Sequence, residues 1–291
     1  MKRILVVAKQ SKYEYEKEKF GLSHEQICEK YIGEHANLEA ILASHDAQLS
    51  ARKLFRQLMP EAEMVMMNEV REKIKGYDMA VSFGGDNSFT YLGHFLDEIP
   101  VVGMNSDPGR SVGALCMWSA KDLNEFVQRI RRGEYRIEEW TRLQAVVDGA
   151  EIERATTEYF VGEKLRKDMS RHVMVYHGRE YEQKSSGLIV VSGAGSTGWY
   201  DSANKFLFPN GNRFPKTDKK GVFIVTEPYL YKSRGDGLYC GELLPGEELT
   251  LYSLNDGAGI VSVDCWHEHD FSRGKKAVIK ISEQPLRTVV P

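Results

Sequence analysis

The sequence predicts an α/β N-terminal domain, a mostly parallel sheet with helices, followed by an all-β C-terminal domain. Three observations carry this reading. Short apolar runs alternate with helical patterns as far as about Gly133, the order that builds a parallel sheet covered by helices. From Tyr135 onward short strand-like runs are separated by turn pairs such as Asp148-Gly149, His177-Gly178, Pro245-Gly246 and Asp256-Gly257. A chain of 291 residues is also long enough for two cores. The boundary is placed between residues 134 and 135.

In chain order, residues 4–8, 64–67, 79–83 and 101–104 read as buried strands, because each is a continuous apolar run bounded by polar residues. Between the first two lies a helical stretch from Ser23 to Met59, opened by the capping-box pair Ser23 and Gln26, interrupted at Gly33 and closed by Pro60. A further helix starts at Ser119 and stops at Gly133, with Leu123, Phe126, Val127 and Ile130 on one face. In the second half, residues 201–207 read as a short helical interruption. The loop 209–220, rich in Gly, Asn, Pro and Lys, reads as mobile and able to cover a ligand.

Composition narrows the function classes. The chain is 42% hydrophobic and 28% charged, as expected for a folded protein. Its 39 Lys and Arg against 42 Asp and Glu leave a formal charge of −3, which offers no electrostatic footprint for nucleic acid or an anionic membrane. Cys28, Cys116, Cys240 and Cys265 stand singly, without the spacing of a zinc site or a disulfide framework. No apolar run approaches the ~20 residues of a membrane span. A strand begins almost at once, leaving no room for a signal or transit peptide. The expectation is a cytoplasmic protein acting on small molecules.

The sharpest local signal is Val81-Ser82-Phe83-Gly84-Gly85-Asp86-Asn87-Ser88-Phe89. A buried strand runs into paired glycines, one carboxylate and a helix from Ser88 towards Leu96. Glycines let backbone N–H groups approach a phosphate closely, and the helix start adds partial positive charge. A carboxylate facing phosphates is repelled by them, so it makes sense where it holds Mg²⁺ or accepts a proton from an attacking hydroxyl. On local pattern alone the same residues also read as a tight turn with Asp86 as N-cap.

This segment resembles the Gly-Gly-Asp-Gly-Thr signature shared by NAD kinases, diacylglycerol kinases and phosphofructokinases, in which the Asp is catalytic. Other segments resemble the mitochondrial-type branch of the NAD kinases. They are Val6-Val7-Ala8-Lys9 through Tyr13-Glu14-Tyr15-Glu16, the Asn105-Ser106-Asp107-Pro108 turn, Lys184-Ser185-Ser186-Gly187-Leu188, Gly195-Ser196-Thr197-Gly198-Trp199, and Leu286-Arg287-Thr288-Val289.

The resemblance implies an NAD kinase-like fold in which residues 282–291 return to the first domain and the site lies between the domains. It implies Asp86 as the base that activates the adenosine 2′-hydroxyl of NAD. Gly84, Gly85, Asn87, Ser88 and Asn105 become contacts to the phosphates of ATP. Mg²⁺ arrives on those phosphates, with Asp86 as the carboxylate able to hold it. Thr157, Glu158, Ser196, Thr197, Gly198, Trp199 and Ser202 become substrate contacts, with Gly193, Gly195 and Gly198 permitting close ligand approach. A homodimer is implied.

Three positions depart from the family. Thr157 replaces an Asn, and a single hydroxyl cannot match the bidentate contact of an amide. Asn87 replaces a glycine, which Asn tolerates because it visits left-handed backbone readily. Cys265 replaces the glycine after Asp264, a residue read only as structural.

Two motifs read as decoys: Trp266-His267-Glu268-His269-Asp270 as a solvated strand edge without a third metal ligand, and Arg234-Gly235-Asp236 as turn chemistry. The rival functions are a kinase of the same fold acting on a lipid or sugar hydroxyl, distinguished by substrate choice, and a weakly catalytic dinucleotide-binding regulator, distinguished by the absence of ATP turnover.

Overall fold

The computed structural model describes residues 2–204, 213–229 and 237–291. They divide into two compact units, Met1–Glu138 with Arg287–Pro291, and Glu139–Leu286.

The first unit runs β1 (Ile4–Ala8), α1 (Lys12–Phe20), α2 (His24–Gly33), α3 (Leu38–Leu58), β2 (Glu63–Met66), β3 (Met79–Gly84), α4 (Asp86–Gly93), β4 (Val101–Asn105), β5 (Trp118–Ser119), α5 (Leu123–Arg132) and β6 (Arg136–Trp140). The second runs β7 (Leu143–Val147), β8 (Ala150–Glu151), β9 (Glu158–Glu163), β10 (Ser170–Tyr176), β11 (Arg179–Ser185), β12 (Gly187–Val191), α6 (Trp199–Asn204), β13 (Gly221–Thr226), β14 (Cys240–Leu243), β15 (Glu248–Ser253), β16 (Gly259–Val263), β17 (His267–Asp270) and β18 (Lys276–Ile281). The last strand, β19 (Leu286–Val290), joins the first sheet.

That first sheet has the order β2-β1-β3-β4-β19-β6, with β5 also on β4. β1, β3 and β4 are buried at every residue, and their mutual pairings are parallel, as continuous apolar strands covered on both faces should be. The chain steps outward from β1 to β2, then returns to β3 and proceeds the other way to β4. The loops after β1 and β3 therefore lie at a topological switch point, where open α/β sheets bind ligands.

Helix α5 matches its sequence reading: Leu123, Phe126, Val127 and Ile130 are buried, and Gly133 ends it with φ 73°. The stretch 23–59 resolves into α2 and α3. Ser23 and Gln26 form the expected capping box, and His35, at φ 55°, lies between the two helices. The helix expected from Ser88 begins earlier, at Asp86, and ends at Gly93. Helix α1 was not anticipated.

The second unit packs two antiparallel sheets, β11-β10-β15-β18-β7-β8 and β14-β13-β12-β9-β16-β17. Alternate residues of both meet in one core that includes Leu143, Ala145, Tyr159, Val161, Leu249 and Leu251. Two of the predicted hairpin turns have left-handed backbone at both central residues: Asp148 and Gly149 at 51° and 85°, His177 and Gly178 at 49° and 73°. The helical interruption is α6, and residues 205–207 lie outside the described residues, as do 209–212 of the predicted covering loop and the Arg234-Gly235-Asp236 turn.

His172 on β10 is fully buried, and neither ring nitrogen has a hydrogen-bond partner among the described residues. Burial pushes its pKa down from 6.5 to about 4. The unfolded chain therefore takes up a proton before the folded one. Stability is complete above about pH 6.5 and is lost as pH falls towards about 4. At about 1.4 kcal/mol per pKa unit, the loss is roughly 3 kcal/mol. Thermal melts of wild type and His172→Leu between pH 7 and 4.5 should show a smaller acid-induced fall in Tm for the variant.

Candidate active site

In the first unit, β3 delivers Gly84 and Gly85 to the switch point. A Cβ on Gly84 would lie 2.2 Å from Ser88 Oγ, 2.6 Å from Ser88 Cβ and 3.2 Å from Lys9 Cβ, so only glycine lets the chain turn there. Gly85 takes the N-cap position of α4 and provides no capping side chain. This corrects the alternative in which Asp86 is the cap. Asp86 is the first helical residue, and its carboxylate instead accepts hydrogen bonds from the backbone N–H of Ala114 at 3.0 Å and Leu115 at 2.8 Å.

Those two amides are presented by the loop that follows β4, and Asn105 braces it. Its Nδ2 donates to Ser111 O at 2.9 Å, and its Oδ1 accepts from Asp107 N at 3.1 Å. Gly113 passes it at φ 63°, where a Cβ would sit 2.5 Å from Asn105 Nδ2. Asn105 is 4% exposed. The amide expected to contact the phosphates is engaged inside the loop that presents the two amides to Asp86.

Two bonds leave a carboxylate with lone pairs for a further donor. Ser88 is buried, and its Oγ has no hydrogen-bond partner among the described residues. Asn87 is exposed in the first turn of α4 with ordinary helical backbone, so the left-handed conformation expected of it is not required. Lys9 stands next to this loop and is not among the site residues expected from the sequence. It follows β1 directly, donates its N–H to Phe83 O at 3.0 Å, and its Cβ is among the atoms crowding Gly84. The signal was available: a lysine at the carboxyl end of the first strand.

In the second unit, Thr157 and Glu158 lead into β9. The buried Asp264 carboxylate accepts from Thr156 N and Thr157 N at 2.8 Å, from Thr157 Oγ1 at 2.7 Å and from Glu158 N at 3.0 Å. Asp264 and Cys265 both have left-handed backbone, at 47° and 60°. Burial, and then the Asp264 charge, push the Glu158 pKa up to about 7. Cys265 Sγ donates towards Glu158 Oε1 at 3.8 Å. Burial and the two carboxylates push its thiol up to about 11. Asp264, four times an acceptor, fixes the turn that carries Thr157 and Glu158.

The glycine-rich loop after β12 is tied to the same turn. Ser192 Oγ donates to Thr156 O at 2.5 Å, and Ser192 N to Thr157 O at 2.9 Å. A Cβ on Gly195 would lie 2.3 Å from Thr157 O, and one on Gly193 2.1 Å from Pro215 O. These two glycines accommodate backbone, not ligand. Gly198 alone of the three has open space, its nearest atom being 3.7 Å away. Ser196 is fully buried, donating to Gly193 O at 2.8 Å and accepting from Phe214 N at 3.2 Å. Its hydroxyl, expected at the substrate, braces the loop internally. Thr197, Gly198, Trp199 and Ser202 are exposed.

His267 and His269 share a face of β17, as alternation requires. Both turn to Glu153, at 3.9 Å and 2.6 Å, so the edge expected to be solvated is half-buried and tied to that carboxylate. Among the described residues no three His, Cys, Asp or Glu side chains are arranged to hold a metal ion.

No family model matches the sequence. Among relatives, the chain is 25% identical over 274 residues to the mitochondrial NAD kinase 2 of Xenopus tropicalis, covering 70% of this chain and 64% of that one. It is 25% identical over 251 residues to a probable NADH kinase of Oryza sativa subsp. japonica, covering 78% and 75%. An NAD kinase from Archaeoglobus fulgidus in complex with ATP superposes with TM-score 0.65 at 17% identity, covering 99% of this chain and 92% of that one. Yeast NADH kinase complexed with NADH superposes at 0.71 and 12%, covering 99% and 83%.

The fold and the carboxylate loop at the sheet's switch point thus define the class, a two-unit α/β and β protein with the architecture of the NAD kinases. The sequence relatives point the same way: those that the chain resembles along most of its length are NAD and NADH kinases, and it spans about two thirds of the length of the first of them.

Proposed function

We propose that the protein is an NAD kinase, transferring the γ-phosphoryl group of ATP to the adenosine 2′-hydroxyl of NAD. The observation that carries this reading is Asp86, a carboxylate held by two backbone amides at the head of a helix that follows paired glycines. The 2′-hydroxyl gives its proton to Asp86 as its oxygen attacks the γ-phosphorus, and ADP departs. The amides of Gly84 and Gly85, the start of α4, the Ser88 hydroxyl and Lys9 supply donors and positive charge for the phosphates. The chemistry is positioning and charge stabilisation, the usual demand of phosphoryl transfer.

Glu158, with Thr157, receives the adenosine, and Thr197, Gly198, Trp199 and Ser202 line the same nucleoside site. Asp86, the single carboxylate of the phosphate loop, would be the residue to hold Mg²⁺ brought on ATP, and the ion would neutralise charge on the phosphates. The assembly implied by the resemblance to mitochondrial-type NAD kinases is a homodimer, which light scattering on a sizing column would test. Four free cysteines fit a reducing compartment such as the cytoplasm. No helix among the described residues is long and apolar enough to cross a membrane.

The test is purified protein with ATP, Mg²⁺ and NAD, with NADP read out enzymatically and NADH run alongside. Turnover of ATP on a lipid or sugar hydroxyl, with neither dinucleotide phosphorylated, refutes the assignment. Asn87 adds an amide where the family has glycine, projecting from the first turn at the phosphates. Asn87→Gly is expected to lower the KM for ATP several-fold. A rise in that KM instead means that the Asn87 side chain donates to the phosphates.

A further inference from the structure

The second unit holds an aromatic pair whose lower member has no part in the chemistry above. Strand β9 turns Tyr159 and Val161 into the main core, so Glu158, Phe160 and Gly162 share its other face. There Phe160 packs against a smaller cluster of Ile189, Val191, Tyr200 and Ile224. Its ring lies close over two backbone segments. A Cβ on Gly187 would sit 2.4 Å from its Cε2, and one on Gly162 2.8 Å from its Cζ. Gly187 also has φ 135°, so a side chain there is excluded twice over.

The Phe160 ring carries Trp199 stacked on it, with ring centroids 5.2 Å apart and planes inclined by 26°. Trp199 remains 38% exposed. Stacked aromatic pairs are favourable beyond their buried area, and a ring fixed from below loses little freedom when a ligand stacks on it. The result is a flat aromatic surface at the loop bearing Thr197 and Gly198. Its support lies two residues along the strand from Glu158, on the same face.

We propose that Phe160 is a positioning residue that holds Trp199 as the platform on which a planar base of the dinucleotide stacks. The proposal rests on the NAD kinase reading of the same site. Stacking of a base on an aromatic side chain is worth enough that its loss raises KM about tenfold. The loss is of uniform binding, so kcat should hold.

The experiment is steady-state kinetics of Phe160→Leu in the full chain, with NAD titrated against tryptophan fluorescence. The expected result is a KM for NAD raised about tenfold with kcat little changed, and NAD quenching that is lost in Trp199→Leu. In the Trp199→Leu background, Phe160→Leu should add nothing, because the two residues act as one unit. A merely structural role for Phe160 predicts the same increment in both backgrounds, and that result overturns the proposal. Should Phe160→Leu fail to fold, Gly162→Ala keeps both rings and crowds the lower one, along with Ser170 Oγ and the Gly187 backbone. It should raise the KM for NAD too, and an unchanged KM overturns the proposal. A wild type that neither binds NAD nor forms NADP removes the kinase reading and this inference together. A wild type that does both, with Phe160 variants unaffected, removes this inference alone.

Discussion

Asp86→Asn is expected to fold and to lose turnover by ~10²–10⁴, the usual cost of removing a general base. The amide that replaces the carboxylate has one acceptor atom in place of two. One of the amides of Ala114 and Leu115 then faces an N–H₂ group, at a cost of about 1–3 kcal/mol. The variant should therefore melt a few degrees lower while its circular dichroism is unchanged. Measuring kcat at saturating ATP and NAD, at a temperature well below both melts, separates the two effects. A kcat near that of wild type would show that the hydroxyl proton leaves by another route.

Glu158→Gln should make the protein more stable and worse at its task. An acid whose pKa is raised on folding, here from 4.5 to about 7, contributes stability that is complete below about pH 4.5 and is lost as pH rises through about 7. Removing the charge abolishes that loss, which is of the order of 3 kcal/mol at about 1.4 kcal/mol per unit. The variant and wild type should melt together near pH 5 and separate by several degrees at pH 8. In the same variant the KM for NAD should rise about tenfold or more, since a hydrogen bond to a charged group in a specific site is lost. A pH-independent difference in Tm would show that Glu158 is not held against its ionisation. Functional groups kept at a cost in stability are a general feature of sites.

Much of this was legible in the sequence, and the reasons differ by element. β1, β3 and β4 are continuous apolar runs bounded by polar or glycine residues, so burial on both faces could be read directly. The turn at Asp148 and Gly149 and the end of α5 at Gly133 rest on backbone conformations that few residues adopt, and those are the residues present. Helix α1 was missed because its segment is charged, with only Tyr13 buried. The capping box of Ser11 and Glu14 was the overlooked signal. Motif matching placed Asn105 and Ser196 near the chemistry without saying which way their side chains point, and both turn inward. The role of Asp264 was out of reach of any local pattern, because its four donors come from residues 156–158, far upstream in the chain.

The position of β19 between β4 and β6 bears on the order in which the chain can fold. The first sheet is incomplete until its last strand has been made, and Thr288 must find Val101 across the whole second unit. Left as open chain, that span would impose a long loop closure and a high contact order. The second unit removes most of that cost, because its first and last long strands are neighbours, with Leu143 opposite Ile281. Once its sheets have formed, the ends of the span are clamped side by side, and β19 docks as if joined to β6 by a short connection. The insertion is thus a staple made of protein, and the order of assembly it favours is second unit first, closing strand last.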